Sequence, residues 1–174
     1  MEFNVAELLK EPVGATRRFT VAELVTLPDL EGGCWVEGGV LLLRTDKGVL
    51  AQCALETAAE CQCSRCLAPY RQPLRLAIEE EFFPVVDSGG ALVPASDGEA
   101  FTLDEHHVLR LEEALRQYLL MSLPMRPLCQ EGCLGICPRC GIDRNRQTCR
   151  CSDSPADSHW SPLLQLRERE VSRN

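Results

Sequence analysis

The alternation of apolar and polar positions changes rhythm several times along the chain, and each change predicts an element. A short helix is predicted over Val5–Lys10, with Asn4 as its cap and Glu7 three residues on as in a capping box; Glu11-Pro12 and Gly14 end it. Thr20-Val21-Ala22-Glu23 reads as a second capping box, opening a brief helix or turn that reaches Leu27-Pro28. From Cys34 the pattern turns to strands. Trp35 to Arg44 is apolar and β-rich apart from Glu37-Gly38-Gly39, and Thr45-Asp46-Lys47-Gly48 is a turn. Val49, Ala51, Cys53 and Leu55 then alternate with Leu50, Gln52, Ala54 and Glu56, the period of two of a half-buried strand. Leu74, Leu76 and Ile78 alternate with Arg75, Ala77 and Glu79 in the same way, ending near Phe82-Phe83-Pro84. Residues 86–100, rich in turn formers and without periodicity, read as a surface loop.

Beyond that loop the period becomes helical. Asp104 is placed to cap a helix from about Glu105 to Met121, with Val108, Leu111, Leu115 and Tyr118 on one stripe and Pro124 closing it. A further short amphipathic helix is predicted over His159-Trp160-Ser161-Pro162-Leu163-Leu164. The predicted fold class is α+β: an antiparallel β-meander packed on one main amphipathic helix, with a C-terminal cysteine-rich, zinc-ribbon-like appendage. The predicted domains are 1–128 for the α+β part and 129–174 for the appendage.

Composition limits the function classes. The 174 residues are 45% hydrophobic and 25% charged, an ordinary globular balance. The net charge of −8 argues against a surface that coats nucleic acid throughout, though not against a local basic patch. No secretory leader and no run of eighteen apolar residues is visible, so a cytoplasmic location is expected.

Eleven cysteines in a reducing compartment point to metal ligation rather than disulfides. Eight of them form four closely spaced half-sites: Cys63/Cys66, Cys129/Cys133, Cys137/Cys140 and Cys149/Cys151. Two half-sites complete a closed tetrahedral thiolate site. Joining Cys137/Cys140 to Cys149/Cys151 closes the shortest loop. Cys63/Cys66 then meet Cys129/Cys133 and tie the second and third strands to the end of the helix. The rival pairing of 129/133 with 137/140 is crowded but sterically open. Zinc, two ions per chain, is the expected cofactor, with iron–sulfur chemistry the main competitor for the same thiolates. A redox role for CPRC or CSRC lacks the βαβ setting such motifs keep. Cys53 reads as core, and Cys34 and Cys61 as unliganded. His106, His107 and His159 do not stand at ligand spacing to any half-site, so both sites read as structural rather than catalytic.

Arginine clusters about these half-sites. Between Arg126 and Cys151 five arginines (126, 139, 144, 146, 150) face two acids, a local +3, and Arg65, Arg71 and Arg75 flank the first knuckle. Arginine suits phosphate and stacks on bases, so Arg65, Arg139, Arg144, Arg146 and Arg150 are the candidate RNA-binding residues. Solubilising charge is the competing explanation. Glu79-Glu80-Glu81 would suit a partner with a basic surface.

The ordered series CSRCLAPY, an acidic EEEF, a helix ending in LPMRPLC, EGCLGICPRCGIDRN, CRC and DSHWSPLLQL resembles the bacterial YceD family, the large ribosomal RNA subunit accumulation proteins. The resemblance implies a non-enzymatic factor in accumulation or processing of large-subunit ribosomal RNA. Its expected partners are precursor large-subunit RNA or a large-subunit ribosomal protein, with no membrane and no small-molecule substrate. A thiol-redox or zinc-handling protein is the alternative, and a nuclease lacks a visible carboxylate cluster.

Overall fold

The computed structural model describes residues 1–28, 33–85 and 101–151. The chain divides into two compact units, Met1–Cys133 and Leu134–Asn174, so the Cys129/Cys133 pair belongs to the first unit. The predicted loop at 86–100 and the predicted segment at 159–164 lie outside the described residues.

The first unit is a mixed sheet with few helices. In chain order it runs β1 (Glu2–Asn4), α1 (Ala6–Lys10), β2 (Thr16–Val25), β3 (Cys34–Arg44), β4 (Val49–Gln62), β5 (Pro69–Pro84), β6 (Thr102–Leu103), β7 (Val108–Arg110) and α2 (Glu112–Ser122). Among the described residues, β2-β3-β4-β5-β6 form one five-stranded sheet and β1-β7 a two-stranded one. Each of β2 to β5 is antiparallel to the next, while β6 joins β5 in parallel through Phe83–Thr102.

Strict alternation builds the core. Val36, Val40 and Leu42 of β3, Val49, Ala51, Cys53, Leu55 and Ala59 of β4, and Leu74, Leu76, Ile78 and Phe82 of β5 all point to one buried face. Leu8, Leu109, Leu111, Ala114, Leu115 and Leu119 belong to the same core. Helix α2 packs on β5, where the Tyr118 hydroxyl donates to Glu80 Oε1 at 3.0 Å.

Three predicted elements come out differently. The second capping box, Thr20–Glu23, lies inside strand β2, because ten successive residues pair with β3 from Thr16–Leu43 to Val25–Cys34. Local capping potential loses to a long ladder with a buried partner strand. The glycines that interrupt the β pattern do not interrupt β3. Gly38 sits at φ 149°, where a Cβ would lie 2.1 Å from the Ala54 carbonyl oxygen, so only glycine lets β3 and β4 approach this closely.

The main helix starts at Glu112 rather than near Glu105. Asp104 does cap, but it caps a turn: its Oδ1 accepts the His106 and Val108 amides at 2.9 and 2.8 Å. Val108–Arg110 then pairs with β1. Leu109 and Leu111 are buried with Arg110 exposed between them, so the stripe through Val108 and Leu111 mixes a strand period with a helical one. Helix α1 begins at Ala6, whose amide donates to Asn4 Oδ1 at 3.0 Å, close to the predicted start. No helix among the described residues is long and apolar enough to cross a membrane.

Candidate metal centres

The first centre is built where two long strands turn. Cys63 follows β4 and Cys66 precedes β5, so the pairing that ends at Gln62–Pro69 sets the knuckle. The Cys63 amide donates to the Ala68 carbonyl (3.0 Å) and the Leu67 amide to the Cys63 carbonyl (2.9 Å). The segment after α2 closes on it: Ser64 N–H donates to the Pro127 carbonyl at 2.8 Å, and the Arg65 Nη1 donates to the Cys133 carbonyl at 2.8 Å. Cys63, Cys66 and Cys133 are buried in a small satellite cluster with Ala68, Tyr70, Leu128 and Cys129.

The second centre belongs to the second unit and repeats the knuckle. Cys137 N–H donates to the Ile142 carbonyl (2.8 Å) and Gly141 N–H to the Cys137 carbonyl (2.9 Å), the same two bonds at the same offsets. An Ile136–Asp143 bridge follows. Asp143 then organises the loop towards Cys149: its Oδ1 accepts the Asn145 amide at 2.9 Å and its carbonyl the amides of Arg146 and Gln147. Asn145 Oδ1 in turn accepts the Leu134 amide at 2.8 Å. The bond from the Asn145 amide to the Asp143 side chain is an Asx-turn, and Asp143 is the residue in the sequence that signals it.

The repeated knuckle exposes one anomaly. Gly141 has φ 73°, the left-handed conformation glycine takes freely. The equivalent residue in the first knuckle is Leu67, at φ 59° and half exposed. A leucine there carries strain of roughly 1–2 kcal/mol. Leu67→Gly is therefore expected to raise stability by about 0.5–1 kcal/mol once the flexibility of glycine is set against the relief. Urea unfolding of the two proteins checks this; equal midpoints would mean that the Leu67 side chain compensates by packing.

Two groups of four thiols result: Cys63, Cys66, Cys129 and Cys133, and Cys137, Cys140, Cys149 and Cys151, the sulfurs of each group lying within 4.8 Å of one another. Cys63–Cys133 and Cys66–Cys129 sulfurs are 3.7 and 3.6 Å apart, and Cys149 lies 3.3 Å from Cys137 and 3.6 Å from Cys140. A tetrahedral ion with Zn–S bonds of about 2.3 Å requires sulfurs about 3.8 Å apart. The donor sets therefore fit a single ion.

Electrostatics favours a cation as well. Backbone amides of Cys66 and Cys129 hold the Cys63 thiol down at about 6, and those of Cys140 and Arg139 hold Cys137 at about 6. By contrast, burial and then the surrounding sulfurs push Cys129 up to about 12, and the Cys149 and Cys140 sulfurs push Cys151 up to about 12. One thiolate forms readily in each group, but its charge opposes the next ones. A divalent cation among them removes that opposition. The remaining cysteines stand apart from both groups: Cys34 and Cys53 are buried in the main core, and burial pushes the Cys53 thiol to about 11.

The candidate RNA-binding arginines have different surroundings. Arg139, Arg144, Arg146 and Arg150 are exposed around the second centre, with Arg146 Nε 3.5 Å from Asp143 Oδ2. Arg65 is occupied in part by the Cys133 carbonyl, a closing contact that its spacing did not announce. His106 and His107 belong to neither thiol group, and His159 lies outside the described residues.

A strand-rich unit and a small second unit, each carrying four convergent thiols that can hold a metal ion, define the class. The family model described as "Large ribosomal RNA subunit accumulation protein YceD" matches residues 51–167, a span that covers both centres, and the chain belongs to that family. Uncharacterised proteins of Mycobacterium tuberculosis and Mycobacterium bovis are each 27% identical over 137 residues, covering 75% of this chain and 64% of theirs. The match thus spans less than two thirds of these relatives. The chloroplastic "Large ribosomal RNA subunit accumulation protein YCED homolog 1" of Arabidopsis thaliana is 27% identical over 59 residues, 34% of this chain and 18% of its own. No solved structure matches.

Proposed function

We propose that the protein is a non-enzymatic zinc-binding factor that supports accumulation or processing of large-subunit ribosomal RNA in the cytoplasm. The family match across residues 51–167 carries this reading. Cys63, Cys66, Cys129 and Cys133 hold one zinc ion, and Cys137, Cys140, Cys149 and Cys151 a second. Zinc supplies cross-links there, not chemistry on a substrate. Thiolates fill all four positions in each centre, whereas a catalytic zinc keeps one open. Sulfurs within 4.8 Å of one another surround one ion closely and leave no room for a multi-iron cluster, which favours zinc over iron–sulfur.

The first ion fastens the end of α2 to the β4–β5 turn. The second stabilises a segment too small for a core of its own. Its exposed Arg139, Arg144, Arg146 and Arg150 are then the phosphate-contacting group, directed at precursor large-subunit RNA or at RNA carrying a large-subunit protein.

Deleting the gene is expected to lower mature large-subunit RNA relative to small-subunit RNA, with restoration by the wild-type gene. The ratio is read directly from total RNA. An unchanged ratio in the deletion strain would remove this function.

A further inference from the structure

We propose that the open face of the β2–β5 sheet, centred on Trp35, Glu37 and Glu56, is a docking surface for a basic polypeptide segment. This surface lies in the first unit and goes beyond the RNA reading, which rests on the arginines of the second.

Charge separates the two units. Met1–Cys133 carries eleven basic and twenty-one acidic residues, net −10, while Leu134–Asn174 carries seven and five, net +2. A polyanion is repelled by the first unit and a polycation attracted to it.

The strand register shows where. On the face opposite the core, Glu37 of β3 stands directly across from Glu56 of β4, and its other neighbour, on β2, is Ala22. Like charges directly opposed weaken a sheet. Arg75 engages Glu56, Nε to Oε1 at 3.1 Å, which leaves Glu37 with no basic residue across the register.

Beside it, Trp35 is 49% exposed and its indole Nε1 donates to Glu37 Oε2 at 3.3 Å. An aromatic face held next to a carboxylate is what a lysine or arginine head recognises. Both line a shallow concavity of about 600 Å³ with Glu56, Thr57, Arg71 and Pro73, and Arg71 on its rim faces Glu60 across the register. The next row in is small throughout, Thr20–Gly39–Ala54–Ala77, so a polypeptide backbone can lie close to the sheet. The same face of a second copy is a poor occupant, because it would bring Glu37 and Glu56 against themselves.

The test is an NMR titration of the full, metal-loaded protein with a synthetic Lys/Arg-rich peptide and, separately, with single-stranded oligouridylate. The peptide is expected to give saturable shifts at the Trp35 indole N–H and at Ala22, Glu37, Ala54 and Glu56, and the RNA none there. Glu37→Lys should keep or slightly raise the melting temperature, since it turns a like-charge pair into an opposite one. It should also weaken the peptide about tenfold or more. Glu7→Lys, on helix α1, should leave peptide affinity unchanged. Shifts scattered over all acidic surfaces, equal losses in Glu37→Lys and Glu7→Lys, RNA shifting the same residues, or peptide-independent shifts that grow with protein concentration would each overturn the proposal. The large-subunit RNA ratio of the deletion strain is read separately, so failure here leaves the RNA reading standing.

Discussion

Cys63→Ser is expected to lose one metal ion and most of the hold between the β4–β5 turn and the segment that follows α2. Cys63 is fully buried, its sulfur 3.7 Å from that of Cys133, and two further hydrogen bonds, from Ser64 and Arg65, reach the same segment. The expected loss is about 4 kcal/mol when free zinc exceeds the dissociation constant by about 1,000-fold. Zinc-dependent urea unfolding measures it: the wild type should shift with added zinc, and the variant should keep only the part owed to the second centre. The sheet core from Val36 to Phe82 does not depend on that closure, so far-UV circular dichroism should persist in the variant. A variant as stable as wild type at every zinc concentration would mean that the first thiol group carries no ion.

The second large effect concerns the exposed arginines. Arg144→Glu/Arg146→Glu reverses two charges on the loop between Cys140 and Cys149 and is expected to abolish specific crosslinks to large-subunit RNA. Each phosphate contact removed also lowers the salt sensitivity of binding by about one unit of slope. The loop itself should survive, because its order comes from the Asp143 and Asn145 side chains and from backbone bonds; the Arg146 ion pair with Asp143 is exposed. Crosslinking and sequencing of bound RNA reads the outcome. An unaltered crosslink pattern would assign the RNA effect to protein contacts instead.

The chain made some of this legible and hid the rest for physical reasons. Strands β4 and β5 are visible because one face is buried and the other wet, which writes a period of two into the residues. Cysteine spacing marks the four half-sites, since a tight turn is what brings two thiols to one ion. Loop closure favours 137/140 meeting 149/151, and those groups do lie together in space. Strand β2 is hidden because an edge strand buries little: only Val21 and Val25 are buried along its length, so Thr20 and Glu23 resemble a cap. The start of α2 is hidden because Leu109 and Leu111 are apolar for the sake of a strand, and two periods overlap there. Arg65 reads as a phosphate ligand until the fold places the Cys133 carbonyl beside it, and Glu37 facing Glu56 exists only in the register.

Metal content and identity, measured by native mass spectrometry and elemental analysis, test the central claim most directly. Two zinc ions per wild-type chain are expected, with one each in Cys63→Ser and Cys137→Ser and none in the double variant. A wild-type chain that carries no metal after expression in zinc-sufficient medium, or one that carries iron with inorganic sulfide, would contradict it.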